Sequence, residues 1–224
     1  MNIAKMIDHS LLKPDATRTQ IKQLCKEGRK YNFATVCVNP VWVKLCKKLL
    51  AGSTAKICTV SGFPLGASKP EVKAREAEMA IKDGADEIDM VMNVGAFKSG
   101  DFKSVEEDIK AVRRAIGNDK ILKVIIEAGL LTNEEKVKAT EIVKSGGADF
   151  VKTSTGFGYG GATIEDVKLL RKIAGDKIGV KASGGIRDYQ TAMNLIQAGA
   201  NRIGTSSGVR IMQEFGDQLP GARD

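Results

Sequence analysis

The segment "GGADFVKT", residues 146–153, is the main indication of the fold, because it recurs twice more in the chain with small changes. The segments "DGADEIDMV" (83–91) and "AGANRIGT" (198–205) also place Gly-Ala-Asp or Gly-Ala-Asn directly before an apolar-rich run. Glycine suits the left-handed conformation that often ends a helix, and a short loop then leads into the next strand. The repeat therefore predicts three returns from a helix to a parallel strand.

Short β-rich runs alternate with longer amphipathic runs along the whole chain. The predicted strands are residues 6–11, 34–38, 56–60, 87–92, 122–127, 150–153, 179–182 and 202–204. The predicted helices are residues 17–30, 40–50, 70–83, 103–116, 133–145, 164–174, 188–198 and 207–215. Eight alternations without a linker predict one α/β domain over residues 1–224, a closed (β/α)₈ or TIM barrel. A doubly wound open sheet is the alternative, although the chain lacks GxGxxG after its first strand.

Composition and charge limit the kinds of partner. Lysine and arginine total 35 against 27 aspartates and glutamates, which gives a net charge of +8. We assign this charge to exposed lysine-rich helices rather than to nucleic-acid binding, because aromatic residues make up only 5% of the chain and offer few stacking platforms. A phosphorylated small substrate is also compatible with it. The exposed helices allow a homo-oligomer, a dimer or a tetramer.

The four cysteines and the N-terminal segment indicate the compartment. No CxxC pair occurs, which argues against a metal finger or a redox motif, and free thiols are typical of the reducing cytoplasm. The segment "MNIAKMIDHS" lacks the apolar core of a secretory signal, and no apolar run reaches membrane-spanning length. We therefore expect a cytoplasmic protein without a membrane partner.

Side chains alternate between the barrel interior and the helix layer along each strand. If the apolar positions face the helices, five charged side chains face one interior: Asp89, Lys123, Glu127, Lys152 and Lys181. Most of them lie near the C-terminal ends of their strands, where barrel enzymes hold their active sites. A buried ion-pair network is the alternative, and it applies best to Lys123 and Glu127.

Two lysines and an aspartate in one interior suit a specific reaction. A lysine becomes a nucleophile when desolvation or a neighbouring cation lowers its pKa. Its amine then attacks a carbonyl to form a Schiff base, which allows an adjacent C–C bond to break. A second lysine lowers the pKa of the first, and an aspartate transfers protons. Asp89, Lys152 and Lys181 therefore predict a class I aldolase.

Two Gly-rich loops follow the seventh and eighth predicted strands, where barrels often bind phosphate. In "ASGGIRD" (182–188), Gly184 and Gly185 allow the backbone to approach a ligand closely. In "GTSSGVR" (204–210), Ser206 and Ser207 add hydroxyl donors. Both loops together predict a phosphate site.

Four further side chains have two interpretations each. Arg187 and Arg210 can add charge to the phosphate site or lie on the solvated surface. His9, the only histidine, follows Asp8 and is interpreted as a structural, hydrogen-bonded residue. Cys37 ends the second predicted strand and is interpreted as a small buried thiol.

Six segments, in order along the chain, resemble the deoxyribose-phosphate aldolase family: "IDHSLLKP", "GADEIDMVMN", "LKVIIEAG", "ADFVKTSTGFG", "GVKASGGIR" and "RIGTSSG". The resemblance covers nearly the whole chain. It implies a class I aldolase without metal or cofactor that reversibly cleaves 2-deoxy-D-ribose 5-phosphate to acetaldehyde and D-glyceraldehyde 3-phosphate. It also implies that Lys152 forms the Schiff base, that Lys181 perturbs it, and that Asp89 relays protons.

The resemblance also implies a substrate and phosphate site. Its residues are Thr155, Gly156, Gly184, Gly185, Gly204, Ser206 and Ser207. Asp8 matches a polar position that borders the pocket in the family. Some members carry a lysine after "STG" that reaches the phosphate, whereas this chain has Phe157. We therefore expect phosphate binding to depend more on backbone donors.

Two other functions are compatible with the same residues. One is another phosphate-binding barrel, a lyase, isomerase or synthase acting on a sugar phosphate, in which Lys152 acts as an acid or an electrostatic group. The other is a basic barrel that binds anionic ligands or nucleic acid without catalysis; its binding would weaken steeply with salt.

Overall fold

Eight parallel strands close into a barrel in the computed structural model of this protein, which describes residues 2–217. The strands follow one another around the barrel in chain order, and the eighth pairs with the first. The predicted (β/α)₈ barrel is confirmed, and the open sheet is excluded. Residues 1 and 218–224 of the predicted domain lie outside the described residues.

The strands and helices match the predicted elements closely. The strands are β1 Ile7–Leu11, β2 Thr35–Val38, β3 Lys56–Ser61, β4 Glu87–Val91, β5 Ile121–Ile125, β6 Phe150–Lys152, β7 Gly179–Ser183 and β8 Arg202–Thr205. The helices are α1 Arg18–Tyr31, α2 Val43–Leu49, α3 Pro70–Asp83, α4 Val94–Lys98, α5 Phe102–Ile116, α6 Asn133–Ser145, α7 Ile164–Ala174, α8 Tyr189–Gln197 and α9 Gly208–Asp217. None of these helices is long and apolar enough to cross a membrane.

Two helices differ from the prediction. The helix predicted at residues 40–50 begins as a 3₁₀ turn at Pro40–Trp42 and becomes α-helical only at Val43. The short helix α4 was not predicted, because five residues are too few to show a period. Its start is fixed by Asn93, whose side chain accepts a hydrogen bond from the Ala96 N–H.

The repeated Gly-Ala-Asp/Asn segments close the N-terminal end of the barrel. Gly147 and Gly199 adopt positive φ angles of 81° and 116°, as predicted for helix ends. The acidic or amide side chain that follows then accepts the N–H of an adjacent strand: Asp149 from Leu122 at 2.7 Å, and Asn201 from Val180 at 3.0 Å. The repeat therefore fixes the start of one strand against its neighbour.

An arginine completes two of these returns with the same contacts. In the first, the Arg113 guanidinium donates to the carbonyls of Gly117, Lys120 and Gly147 at 2.8–2.9 Å, and to the Asp149 carboxylate. In the second, Arg171 donates in the same way to Gly175, Ile178, Gly199 and Asn201. The sequence repeat is thus a repeated hydrogen-bonded unit, which the sequence alone did not show.

We expect Arg113→Ala to lower the free energy of unfolding by about 2 kcal/mol, because it leaves the partly buried carbonyls of Gly117 and Lys120 without a charged donor and also removes the contacts to Gly147 and Asp149. Urea unfolding at neutral pH measures the change, and Arg114→Ala is the matched control, since Arg114 is exposed and lies 3.8 Å from its nearest carboxylate. Catalysis should be unaffected, because the unit lies at the opposite end of the barrel from the site. Equal stability of the two variants would contradict this role.

Candidate active site

Four of the five charged side chains predicted to face the interior meet at Asp89. Its Oδ2 lies 2.7 Å from Lys152 Nζ and 2.7 Å from Lys181 Nζ, and its Oδ1 lies 2.8 Å from Lys123 Nζ. Strand register explains the meeting: Asp89 pairs with Lys123 across β4 and β5, and Lys152 pairs with Lys181 across β6 and β7. All four side chains are buried.

Glu127 does not join this cluster, which corrects the prediction that strand alternation directs its side chain into the same interior as the other four. Strand β5 ends at Ile125, and Glu127 adopts a left-handed conformation with φ of 50°. The alternation of a strand therefore no longer directs its side chain. Its carboxylate instead accepts the Thr155 hydroxyl at 2.6 Å and the Thr155 N–H at 3.3 Å, which holds the loop after β6.

Three further charged residues, near the N-terminal ends of their strands, extend the cluster. Asp8 Oδ2 lies 2.5 Å from Lys181 Nζ, and Asp8 Oδ1 lies 2.6 Å from Arg202. Glu87 contacts Lys123 at 2.6 Å and Arg202 at 3.1 Å. The alternation in β4 placed Glu87 inward. The same rule applied to β8 would have found Arg202, which sequence reasoning missed.

The cluster holds one more cation than carboxylates. Its ion pairs join the carboxylates Asp8, Glu87 and Asp89 to the cations Lys123, Lys152, Lys181 and Arg202. Loss of one lysine proton makes the set neutral, which a buried site favours. Lys181 and Lys123 each contact at least two carboxylates, whereas Lys152 contacts Asp89 alone within residues 2–217. Lys152 is therefore the lysine of the cluster that the fewest ion pairs hold.

The ion pairs of the cluster also shift the pKa values of Lys181 and Asp89. Burial alone would lower the pKa of Lys181, but Asp8 and Asp89 outweigh burial and raise it. Burial alone would raise the pKa of Asp89, but Lys123, Lys152 and Lys181 hold it well below its ordinary value. Lys181 thus stays an ammonium and Asp89 a carboxylate near neutral pH.

A cavity of about 400 Å³ opens above the cluster at the C-terminal end of the barrel. Lys152, Lys181 and Asp8 line it, together with Cys37. Asp89 is fully buried beneath them, and the amines of Lys152 and Lys181 lie between its carboxylate and the cavity. The cavity thus gives access to two amines, those of Lys152 and Lys181, of which Lys181 stays charged.

Six of the seven predicted substrate and phosphate residues line this cavity: Thr155, Gly156, Gly184, Gly185, Gly204 and Ser206. The seventh, Ser207, is not part of the lining; it directly precedes α9, and its N–H donates to the Thr205 hydroxyl at 2.8 Å. The N-terminal end of α9 therefore lies next to the cavity wall, where it favours an anion.

Two glycines serve purposes beyond approach to a ligand. A Cβ at Gly204 would lie 3.0 Å from Cε of Lys181 and 2.9 Å from Cβ of Ser183, so glycine leaves room for the Lys181 side chain. A Cβ at Gly184, where φ is +90°, would lie 2.9 Å from the Gly161 Cα. The loops after β6 and β7 are therefore in direct contact.

Four other residues now have defined places. His9 is buried, and its Nε2 lies 2.7 Å from Glu27, in agreement with the structural interpretation. Cys37 is 1% exposed, as expected of a buried thiol, but it also lines the cavity. Arg187 lines the cavity, whereas Arg210 pairs with Glu214 at 2.7 Å on the exposed face of α9.

Phe157 stands at the cavity wall with its ring half-exposed. It is 48% exposed and packs edge-to-face on Phe63 with ring centroids 5.2 Å apart. An aromatic side chain offers no charge to a phosphate. The loop after β6 therefore contributes backbone and hydroxyl groups but no cation to this side of the cavity.

Two groups of possible metal ligands lie at the cluster, and one of them consists of Asp8, Cys58 and Glu87. Donor atoms of Cys37, Cys58 and Asp89 are within 4.8 Å of one another. The Asp89 oxygens already accept from three ammonium groups, which would also repel a divalent cation. The local charge thus favours anions over metals.

Comparisons with known proteins agree with this geometry. The model of the DeoC/LacD family aldolases matches residues 2–214. The deoxyribose-phosphate aldolase of Brevibacillus brevis is 60% identical over 212 residues, 95% of this chain and 96% of that protein. The enzyme of the same name from Clostridium tetani is 58% identical over 214 residues, 96% of this chain and 99% of that protein.

Solved structures give the same fold. The structure titled "QR15, an Aldolase" superposes with a TM-score of 0.91 at 46% identity and covers 95% of each chain. A structure titled "Unique tetrameric structure of deoxyribose phosphate aldolase from Aeropyrum pernix" has a TM-score of 0.89 at 35% identity, covering 97% of this chain and 92% of that one.

Proposed function

The chain belongs to the DeoC/LacD family of aldolases, and on this premise we propose that it reversibly cleaves 2-deoxy-D-ribose 5-phosphate through a Schiff base on Lys152. The products are acetaldehyde and D-glyceraldehyde 3-phosphate. One observation carries the mechanism: Lys152 lines the cavity and shares Asp89 Oδ2 with Lys181. The curated relatives named as deoxyribose-phosphate aldolases support the substrate.

The reaction begins at the open-chain aldehyde of the sugar. The neutral Lys152 amine attacks C1, and the resulting carbinolamine loses water to give a protonated imine. Lys181 donates a proton to the departing hydroxyl and is left as a neutral amine, while Asp89 Oδ2, which contacts both amines, stabilises the positive charge as it moves from Lys181 to the imine nitrogen. The protonated imine then acts as an electron sink.

Bond cleavage follows at C2–C3. The C3 hydroxyl gives up its proton to the Asp89–Lys181 pair, the C2–C3 electrons move toward the imine, and D-glyceraldehyde 3-phosphate leaves. The enamine that stays on Lys152 is protonated at C2 by the same pair. Water then hydrolyses the protonated imine and is incorporated into acetaldehyde, which balances the water lost earlier; the Lys152 amine is released neutral, and the remaining proton returns to Lys181.

The phosphate end of the substrate fits the opposite wall of the cavity. Backbone N–H groups and hydroxyls there come from Thr155, Gly156, Gly184, Gly185, Gly204 and Ser206, and Ser207 leads into α9. The left-handed conformations of Gly184 and Gly185 leave the backbone open to a ligand. Glu127 supports this wall from behind through Thr155.

An assay with 2-deoxy-D-ribose 5-phosphate tests the function. Protein dialysed against a chelator should release acetaldehyde, detected by coupled reduction with alcohol dehydrogenase and NADH, at the rate of untreated protein. A ketose product, seen by nuclear magnetic resonance, would instead support a sugar-phosphate isomerase. Failure to produce acetaldehyde would refute the proposal.

We also propose that the protein forms a homo-oligomer through α3. Three exposed apolar side chains line one groove beside this helix: Val41 is 78% exposed, Val72 55% and Met79 52%. If two α3 helices packed antiparallel around a two-fold axis, Val72 would meet the second copy's Met79, and Arg75 would approach its Glu76. This charge complementarity favours a second copy as the occupant.

Light scattering tests this interface. We expect the wild type to have at least twice the monomer mass and Met79→Glu to lower that mass, because a buried unpaired charge destabilises an interface. Leu65→Glu is the control, since Leu65 is 78% exposed and lies outside the groove. A monomeric wild type, or an unchanged mass in Met79→Glu, would refute the interface.

A cytoplasmic location is proposed on the state of the cysteines. All four are free and buried, as is usual where thiols are kept reduced.

A further inference from the structure

We infer that Lys13, on the loop after β1, is a phosphate-binding residue that acts together with Arg187. Both side chains line the cavity above the cluster. This assignment rests on the proposed function. It adds two positively charged side chains to the phosphate site, where the neutral backbone donors of Gly184, Gly185 and Ser206 supply no charge.

Neither cation has a carboxylate partner in the part of the chain that the structure describes. Within residues 2–217, neither the Lys13 nor the Arg187 side chain forms a salt bridge or a hydrogen bond, whereas the cations deeper in the barrel are all ion-paired. Both are exposed to solvent from the cavity wall. Two uncompensated positive charges in one cavity favour an anionic ligand there.

The barrel order places these cations on either side of the expected phosphate position. Strand β8 lies between β7 and β1. The loop that carries Arg187 follows β7, the loop with Gly204 and Ser206 follows β8, and the loop with Lys13 follows β1. An anion at the Ser206 backbone is therefore flanked by a cation from each neighbouring loop.

The loop that carries Lys13 is held in place at two points. The Asn39 side chain donates to the Leu12 carbonyl at 3.0 Å, and the Ala16 N–H donates to the Lys13 carbonyl at 3.2 Å. Pro14, between these contacts, fixes its own φ angle. A pinned backbone lowers the ordering cost when Lys13 binds a ligand.

Among the described residues, the opposite flank of the cavity, formed by the loop after β6, carries no lysine or arginine. There the loop after β6 contributes the ring of Phe157. A phosphate monoester carries about −1.5 to −2 charges near pH 7. One lysine and one arginine match that charge, the lysine as a point charge and the arginine as a fork that can bind two oxygens.

The test compares phosphorylated with unphosphorylated 2-deoxyribose. We expect Lys13→Met to raise KM for the phosphorylated sugar about tenfold, the typical loss for one charged contact. The same variant should leave kcat/KM for unphosphorylated 2-deoxyribose within about twofold, because the reacting end of the cavity is unchanged. Phe157→Lys in the Lys13→Met background should restore part of the lost affinity by placing a cation on the opposite flank.

Lys69→Met is the matched control, because Lys69 is exposed at the same end of the barrel and does not line the cavity. Equal losses with both sugars, no loss with Lys13→Met, or the same loss with Lys69→Met would overturn the assignment. Line broadening of inorganic phosphate in ³¹P spectra distinguishes a failure of the proposed aldolase function from a failure of the phosphate-binding role of Lys13. The wild-type protein could broaden the phosphate signal more than Lys13→Met does and yet cleave neither sugar. That result would refute the proposed aldolase function but support the phosphate site at Lys13.

Discussion

Lys152→Ala is expected to lower kcat by at least about four orders of magnitude, because it removes the only group proposed to form the covalent intermediate. Lys152 lines the cavity and contacts a single carboxylate. Neither Lys181 nor Lys123 can replace it, since each is held by at least two carboxylates. The measurement is single-turnover cleavage of the phosphorylated sugar.

The same variant should stay folded. It removes the one cation that exceeds the carboxylates of the cluster, so Asp89 keeps two ammonium partners. Circular dichroism and urea unfolding check this point, and Lys152→Met keeps most of the side-chain volume as a second variant. Substantial turnover by either folded variant would contradict the assignment of the nucleophile.

Lys181→Leu is expected to lower kcat by about 10²- to 10⁴-fold, the usual range for a lost acid–base group. The Lys181 ammonium lies 2.7 Å from Asp89 and 2.5 Å from Asp8. Its loss removes a positive charge next to Lys152, which favours protonation of the nucleophile. The acid limb of the kcat–pH profile should therefore move to higher pH.

Lys181→Arg separates charge from proton transfer. It keeps a cation near Asp8 and Asp89, so its acid limb should stay closer to that of the wild type while its kcat falls. A purely structural role would instead lower stability in Lys181→Leu without moving the profile. An unmoved profile in Lys181→Leu would contradict the electrostatic part of the mechanism.

The kcat–pH profiles can be measured between about pH 5 and 9, because the ion pairs of the buried cluster stay intact over that range. The pKa values of Asp8 and Asp89 lie below the ordinary 3.8, so their stabilisation is present above about pH 4 and is lost only as pH falls through the lowered values. The pKa values of Lys123 and Lys181 lie above the ordinary 10.5, so their stabilisation is present below it and is lost as pH rises through the raised values.

Much of the fold and the centre of the site could be predicted, because both follow from local periodicity. The two-residue alternation of a strand places Asp89, Lys123, Lys152 and Lys181 in one interior, and the observed register brings their charged ends together. The rule fails at Glu127, two residues past the end of β5. Beyond a strand, the backbone angles of each residue decide where its side chain points.

Other features depend on contacts between distant segments and could not be read locally. In the sequence, Asp149 belongs to the Gly-Ala-Asp signal for a loop, but its hydrogen bond with the Leu122 N–H forms only when β5 and β6 pair. Lys13 lies in a loop whose place beside β8 follows only from closure of the barrel. The apolar groove at α3 consists of residues from two elements, Val41 and the helix itself.

Borohydride trapping tests the central claim most directly. The wild-type protein is incubated with acetaldehyde and sodium borohydride, digested, and mapped by mass spectrometry. The mechanism predicts one reduced two-carbon adduct on Lys152, loss of activity in proportion to its formation, and no adduct at that position in Lys152→Ala. An inactivated protein whose adduct lies on Lys181 or on surface lysines, with Lys152 unmodified, would contradict it.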